Sequence, residues 1–332
     1  MRVIRISLVL FLFLILTILL SLLFGTADVT IAQLWGILTG DTDVKEMTKI
    51  IVFNIRFPRI IAAGLAGFSL SLGGLVFQAI LRNPLADPFI LGVSSGGAFG
   101  AVLGIMFGFS FNLGIPLLSF AGAMLTIYLV SVMGQRKMGM ESSTILLAGV
   151  IINAFFTAII MFFISTAVDD RLHTMLFWLY GDLSQSAYVQ FAIMAPIVVA
   201  AFIILYSLSR HLNLITAGEE TARQLGVDTK KTKMTCFLVV SLVIGLVVSF
   251  SGLIGFVGLI IPHLGRMVLG SDHRLLIPVS ALGGAVFLIA ADTVARTIIS
   301  PSELPVGVIT AFIGAPFFIY LLKTRGSKWN RS

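Results

Sequence analysis

Two long apolar runs, residues 60–81 and 89–109, are joined by only seven residues, Arg82-Asn83-Pro84-Leu85-Ala86-Asp87-Pro88. The first run is interrupted by Ser69, Ser71 and Gln78, and the second carries no charge. About 20 apolar residues in a helix match the hydrocarbon core of a bilayer. A tight polar turn between two such runs is what a chain needs to re-enter a membrane it has just crossed. A soluble chain of this size would carry about twice the charged fraction found here, which is 11% against 58% hydrophobic. Transmembrane barrel strands alternate apolar and polar residues, and these runs do not. The expected fold is all-α, a polytopic membrane protein of about ten transmembrane helices forming a single domain over residues 1–332.

The spans are expected near 6–24, 58–81, 89–108, 114–134, 143–165, 187–208, 234–251, 255–269, 276–294 and 305–322. The first is nineteen residues long and apolar except for Ser7, Thr17 and Ser21, longer than the apolar core of a signal peptide, and reads as a retained span. The eighth is short and contains Pro262, so a broken or tilted helix is expected there. With the N-terminus inside, only six of the 22 Lys and Arg fall outside: Lys45, Lys49, Arg56, Arg59, Arg171 and Arg296. This positive-inside bias places both termini in the cytoplasm. It also accounts for the basic charge without nucleic acid. The outer segment 25–57 carries Trp35 and an acidic patch of Asp41, Asp43 and Glu46. In the outer segment 166–186, Phe177, Trp178 and Tyr180 fit an interfacial aromatic belt.

Catalysis needs converging titratable groups, and within the spans the notable polar residues are Gln78 and Asn153. His263 beside Pro262 reads as a hydrogen-bonded structural residue rather than a base or ligand. His263 and Asp292 are expected at opposite ends of their spans. Cys236 is the sole cysteine, which excludes an internal disulfide. No cofactor or metal site is expected. None of the eight lysines follows a glycine, so the chain has no phosphate-binding loop of its own. Ion-coupled carriers bury carboxylates or basic groups near the midplane; none is expected here, so energy for transport would come from a partner. A secondary carrier or channel is the alternative class.

Gly92, Gly96, Gly100 and Gly104 recur every fourth residue on one face of the third span, a spacing that lets helices pack closely. Gly64, Gly67, Gly73 and Gly74 of the second span are expected in the same cluster. The longest inner segment, 209–233, contains Gly218-Glu219-Glu220-Thr221-Ala222-Arg223-Gln224-Leu225-Gly226. Acidic residues at its start and Gly226 at its end read as a short capped surface helix; a solvated loop is the other reading.

Several blocks in order along the chain resemble the FecCD-type permease subunits of type II ABC importers, the family serving iron-siderophores, haem and vitamin B12. They are Arg56-Phe-Pro-Arg59, Gln78 with the 82–88 hinge, Gly92-Val-Ser-Ser-Gly96, Leu147-Ala-Gly149, Ala222-Arg-Gln-Leu-Gly226, Gly255-Phe-Val-Gly-Leu-Ile-Ile-Pro-His263, Ala291-Asp-Thr-Val-Ala-Arg296, Glu303-Leu-Pro-Val-Gly307 and Gly314-Ala-Pro316. The resemblance implies a non-enzymatic transport subunit in a prokaryotic plasma membrane. Its partners would be two cytoplasmic ATPase subunits, a second permease copy or close paralogue, a periplasmic or lipoprotein substrate-binding protein, and lipid. It also implies that Glu220, Ala222, Arg223, Gln224, Leu225 and Gly226 dock on the ATPase, and that Arg56, Arg59 and Arg296 receive carboxylates of the binding protein. Ordinary interfacial arginines are the other reading of those three. Ser142 and Ser143 would belong to the inner gate or cap their helix, and Asn153 would line the pathway. The Arg82-Asn83 form of the hinge favours a ferric siderophore over cobalamin or haem, and molybdate-type oxyanions belong to related systems.

Overall fold

The computed structural model describes every residue except 1, 28, 41–44, 137, 138, 141, 168, 169 and 330–332. Asp41, Asp43, Lys137 and Arg331, which entered the charge reading above, thus lie outside the described residues. The helices in chain order are α1 (Arg2–Leu23), α2 (Ile31–Thr39), α3 (Glu46–Ile50), α4 (Phe57–Ile80), α5 (Val93–Met106), α6 (Gly114–Gly134), α7 (Ser142–Thr166), α8 (Asp170–Leu179), α9 (Tyr188–Ser207), α10 (Ser209–Ala217), α11 (Glu219–Gln224), α12 (Thr229–Ser251), α13 (Val257–Leu269), α14 (His273–Thr297) and α15 (Val306–Trp329). Among the described residues, strand pairing is confined to a two-residue antiparallel ladder between α6 and α7. Lipid offers no partner for an open backbone, so helices satisfy it internally.

Each expected span is present, with edges shifted by several residues. Among the described residues, seven helices are long and apolar enough to cross a bilayer, and α5, α13 and residues 306–321 of α15 are shorter apolar helices. The chain is an integral membrane protein. In the most apolar window of the continuous helical stretch Glu46–Ile80, which ends in α4, and in that of α14, 72% of residues are buried, against 11% in α1 and 28% in α9. Helices α4 and α14 are therefore the central pair, with α1 and α9 at the periphery. A π-helical turn, Ile51–Arg56, joins α3 to α4. Its wide turn precedes Pro58, whose ring would otherwise clash with the carbonyl four residues back.

Small residues set the closest crossings. A Cβ on Gly67 would sit 2.1 Å from the Gly284 carbonyl oxygen, so α4 and α14 touch backbone to backbone. On α5, Gly96 and Gly100 meet Gly122 and Leu118 of α6 in the same way. The α5 glycine face thus packs closely, as its spacing predicts. The α4 glycines do not join that cluster: Gly73 faces α12, Gly74 meets Gly258 of α13, and Gly67 faces α14. Four-residue spacing reveals a face, but not which helix covers it.

Two further expectations are corrected. Helix α13 runs unbroken through Pro262; it is short because residues 252–256 are non-helical. That irregular stretch is tolerated because protein covers it, with a Cβ on Gly252 falling 2.2 Å from the Trp178 carbonyl. Trp178 itself is 5% exposed and belongs to the core, whereas Tyr180 is exposed. An aromatic triplet at a helix end reads as an interface belt only until a neighbour covers one member.

The hinge that opened the sequence reading is a built turn. Arg82 adopts φ 51°, a left-handed conformation that costs a non-glycine residue about 1–2 kcal/mol. The Asn83 side-chain oxygen accepts from the Leu85 amide at 3.0 Å. Asp87 Oδ1 accepts from the Phe89 amide at 2.8 Å and caps the 3₁₀ turn Pro88–Leu91. Burial pushes the Asp87 carboxyl up to about 6 despite that hydrogen bond. A raised carboxyl pKa means that the folded state holds the proton more tightly than the unfolded chain. The ionisation penalty is absent below about pH 4, grows between pH 4 and 6, and is complete above, at about 3 kcal/mol. Asp87→Asn keeps the cap acceptor and removes the charge. Its melting temperature in detergent is expected to match the parent near pH 4 and exceed it at pH 7.5; a lower value at pH 7.5 would refute the assignment.

Candidate functional site

The two ends of the bundle carry different polar constructions. At one end the first turn of α4 faces the last turns of α14. Arg59 Nε donates to both oxygens of Asp292, at 3.0 and 3.1 Å, and a second guanidinium nitrogen lies 2.9 Å from Oδ1. Its remaining nitrogen reaches Glu303 Oε2 at 2.5 Å. Arg296, one turn after Asp292 on the same helix, pairs with Oδ2 at 3.1 Å and donates to Ser21 Oγ at 2.7 Å. Ser21 also shares a 2.7 Å hydrogen bond with Thr293, tying α1 to α14. Asp292 is thus a buried carboxylate between two guanidinium groups.

Arg56 serves a different purpose. It donates to the carbonyls of Leu22 at 2.6 Å and Leu23 at 2.9 Å and to that of Ala27, so a cation sits on the orphan carbonyls that end α1. Arg56, Arg59 and Arg296 are each 5% exposed or less. The sequence reading placed them on an outer rim as receivers of a partner's carboxylates; in the folded chain each is already engaged from within. Of this cluster, Glu303 is the half-exposed member. The pairing of Arg59 with Asp292 and Glu303 was missed in the sequence, although Asp292 and Arg296 four residues apart on an apolar helix are a signal.

At the opposite end, α10 and α11 form an elbow before α12. Ile215, Ala222 and Val227 make a small core of their own, with Leu214 against it. The Glu219 carboxylate pairs with Lys233 of α12, and Arg223 Nε donates to Thr229 Oγ1 at 3.1 Å. Gly226 closes α11 at φ 84°, and the Val227 amide reaches back to the Ala222 carbonyl at 3.0 Å. This is the capped surface helix that the sequence predicts. Of its residues Ala222 points inward, whereas Glu220, Arg223, Gln224 and Leu225 are exposed, with Leu225 at 63%. Asn213 fastens the elbow to α14: its Nδ2 donates to Asp272 at 2.8 Å and its Oδ1 accepts from the His273 amide at 2.8 Å. Hydrogen bonds from Arg274 and Asn213 hold the Asp272 carboxyl well below the usual carboxylate range. Nothing in the sequence singled out Asn213.

Helix α7 begins at Ser142, and the side chains of Ser142 and Ser143 lie outside the described ones. Asn153, midway along α7, is exposed among exposed apolar neighbours including Ile151 and Phe155. The structure thus gathers Arg59 and Arg296 into one cluster with Arg56 close by, places residues 220–226 together at the other end, and leaves Asn153 apart on an outer face. Among the described residues no group of three or more His, Cys, Asp or Glu is arranged to hold a metal ion.

Comparison with known proteins follows the same outline. The model of the FecCD transport family matches residues 13–324. The cobalamin import system permease protein BtuC of Halobacterium salinarum is 43% identical over 282 residues, covering 85% of this chain and 76% of that protein. The hemin transport system permease protein HmuU of Yersinia pestis is 36% identical over 303 residues, covering 90% and 89%. A solved inward-facing structure of a transporter assigned to the metal-chelate ABC type superposes with a TM-score of 0.85 at 33% identity, covering 96% of this chain and 99% of that one.

Proposed function

The chain belongs to the FecCD transport family, and on that premise we propose that it is the permease subunit of an ATP-binding-cassette importer that brings a metal chelate into the cytoplasm. A ferric siderophore is the favoured cargo, on the Arg82-Asn83 form of the hinge. Cobalamin is the second reading, favoured by the 43% identity to the cobalamin permease. The observation that carries the proposal is the elbow of α10 and α11. A helix of six residues is too short to be stable alone, yet here it is clamped to α10 and α12 and shows Leu225 and four polar side chains outward. That is the form of a part that receives force from a partner and passes it into the spans. The positive-inside rule puts this end, and both termini, in the cytoplasm of a prokaryotic plasma membrane, where two ATPase subunits would supply the hydrolysis. The segment 209–233 is the coupling part of one transmembrane domain.

A second copy completes the pathway. An amide facing lipid at mid-span is costly, so the exposed Asn153 of α7 fits a face turned toward a partner or a water-lined passage, with Ser142 and Ser143 at its cytoplasmic mouth. The Arg59 end would face a binding protein, free or lipid-anchored. Since Arg56, Arg59 and Arg296 are engaged within the chain, an incoming carboxylate reaches Arg59 by displacing Glu303.

The test is uptake into proteoliposomes holding this chain with its ATPase and binding protein. Labelled ferric siderophore is expected to accumulate only with ATP, and Glu303→Gln to tighten binding-protein docking several-fold. Accumulation of cobalamin alone would replace the cargo. Uptake without ATP would replace the class by a carrier.

A further inference from the structure

We propose that a cavity at the Arg82 end, between α4, α10, α13 and the start of α14, binds a phosphate-type oxyanion gripped by Arg82 and Arg266. The site goes beyond transport and does not depend on it. The cavity measures about 290 Å³ and is lined by Gln78, Arg82, Thr216, Arg266, Ser271 and His273 among others, room for a phosphate group with part of the molecule that carries it. Arg266 is held in place: its guanidinium donates to Gln78 Oε1, while Gln78 Nε2 donates to the Gly258 carbonyl at 2.9 Å. One end of a buried amide thus holds the guanidinium while the other is anchored on the Gly258 carbonyl.

Among the described residues neither Arg82 nor Arg266 pairs with a carboxylate. The nearby carboxylate, Asp272, is taken by Arg274 at 2.6 Å and by Asn213 at 2.8 Å. Two cations therefore line one cavity without a counter-ion. Guanidinium forks match oxyanions two oxygens at a time. A tetrahedral phosphate offers oxygens to two forks approaching from different directions, here Arg82 from the hinge and Arg266 from α13. Arg82 is also held left-handed, where glycine would be unstrained; the side chain is what glycine would lack.

The measurement is the melting temperature of the full chain in phosphatidylcholine nanodiscs, titrated with inorganic phosphate against chloride at equal ionic strength. A saturable rise with phosphate is expected, with at least tenfold weaker apparent affinity in Arg82→Gly and in Arg266→Gln. Arg82→Gly without phosphate should melt no lower than the parent, which separates loss of the site from loss of the fold. Nanodiscs containing phosphatidylglycerol identify the source. If that lipid raises the melting temperature and removes the phosphate response, a lipid headgroup occupies the cavity; if the response persists, free phosphate does. Equal responses to phosphate and chloride, or unchanged responses in both variants, would overturn the proposal. So would detachment of the ATPase subunit by Arg82→Gly without any phosphate response, which would assign the cavity to that protein.

Discussion

Asp292→Ala is expected to destabilise the chain by about 3–5 kcal/mol, because it leaves two buried guanidinium groups without the carboxylate between them. Arg59 would keep Glu303, whereas Arg296 would keep only the hydroxyl and carbonyl of Ser21 and the hydroxyl of Thr293. Asp292→Asn, which keeps the shape and an acceptor, should fall between. Equilibrium unfolding in mixed detergent micelles reads both. A loss under 1 kcal/mol for the alanine variant would mean that water or lipid reaches the cluster and screens it. The same geometry bears on tests of docking. A charge reversal at Arg56 with Arg296 would abolish uptake by placing carboxylates against Asp292 and the carbonyls that end α1, so Glu303 is the cleaner position to change.

The second large effect lies at the central crossing. Gly67→Ala places a methyl 2.1 Å from the Gly284 carbonyl oxygen, backbone against backbone, and α4 and α14 must separate. Overpacking of a tight core costs about 1–3 kcal/mol, occasionally more, and here both members of the central pair have to move. Gly64→Ala on the same helix meets only Ile289 Cδ1 at 3.4 Å, an ordinary contact, and is expected to change stability by under about 0.5 kcal/mol. The pair is an internal control: helix propensity favours alanine at both positions, so equal losses would mean that the close crossing does not decide the outcome.

The contrast between those two glycines shows what the sequence could and could not carry. Apolar run length placed every span, since a bilayer fixes how long a helix must be. The 82–88 hinge and the Gly226 cap were equally legible, because turn chemistry is local. Partners were not, because they are set by contacts between residues far apart in the chain. Gly67 and Gly64 look alike until Gly284 is seen opposite one of them. Arg59 looked like a rim cation until Asp292, 233 residues on, was found beside it. Trp178 was misplaced for the same reason. The elbow was visible as a capped helix, whereas its fastening through Asn213 was not, since one asparagine in a polar loop has no pattern to betray it.

The Arg59 cluster also has an electrical consequence. Its two arginines and two carboxylates sum to zero, so the four side chains displace as a neutral body. Carrying one elementary charge across 100 mV requires about 2.3 kcal/mol, and a neutral body moved through that field requires none. A movement that carries the four side chains together is therefore blind to the membrane voltage, whereas one that parts Arg59 of α4 from Asp292 of α14 is not.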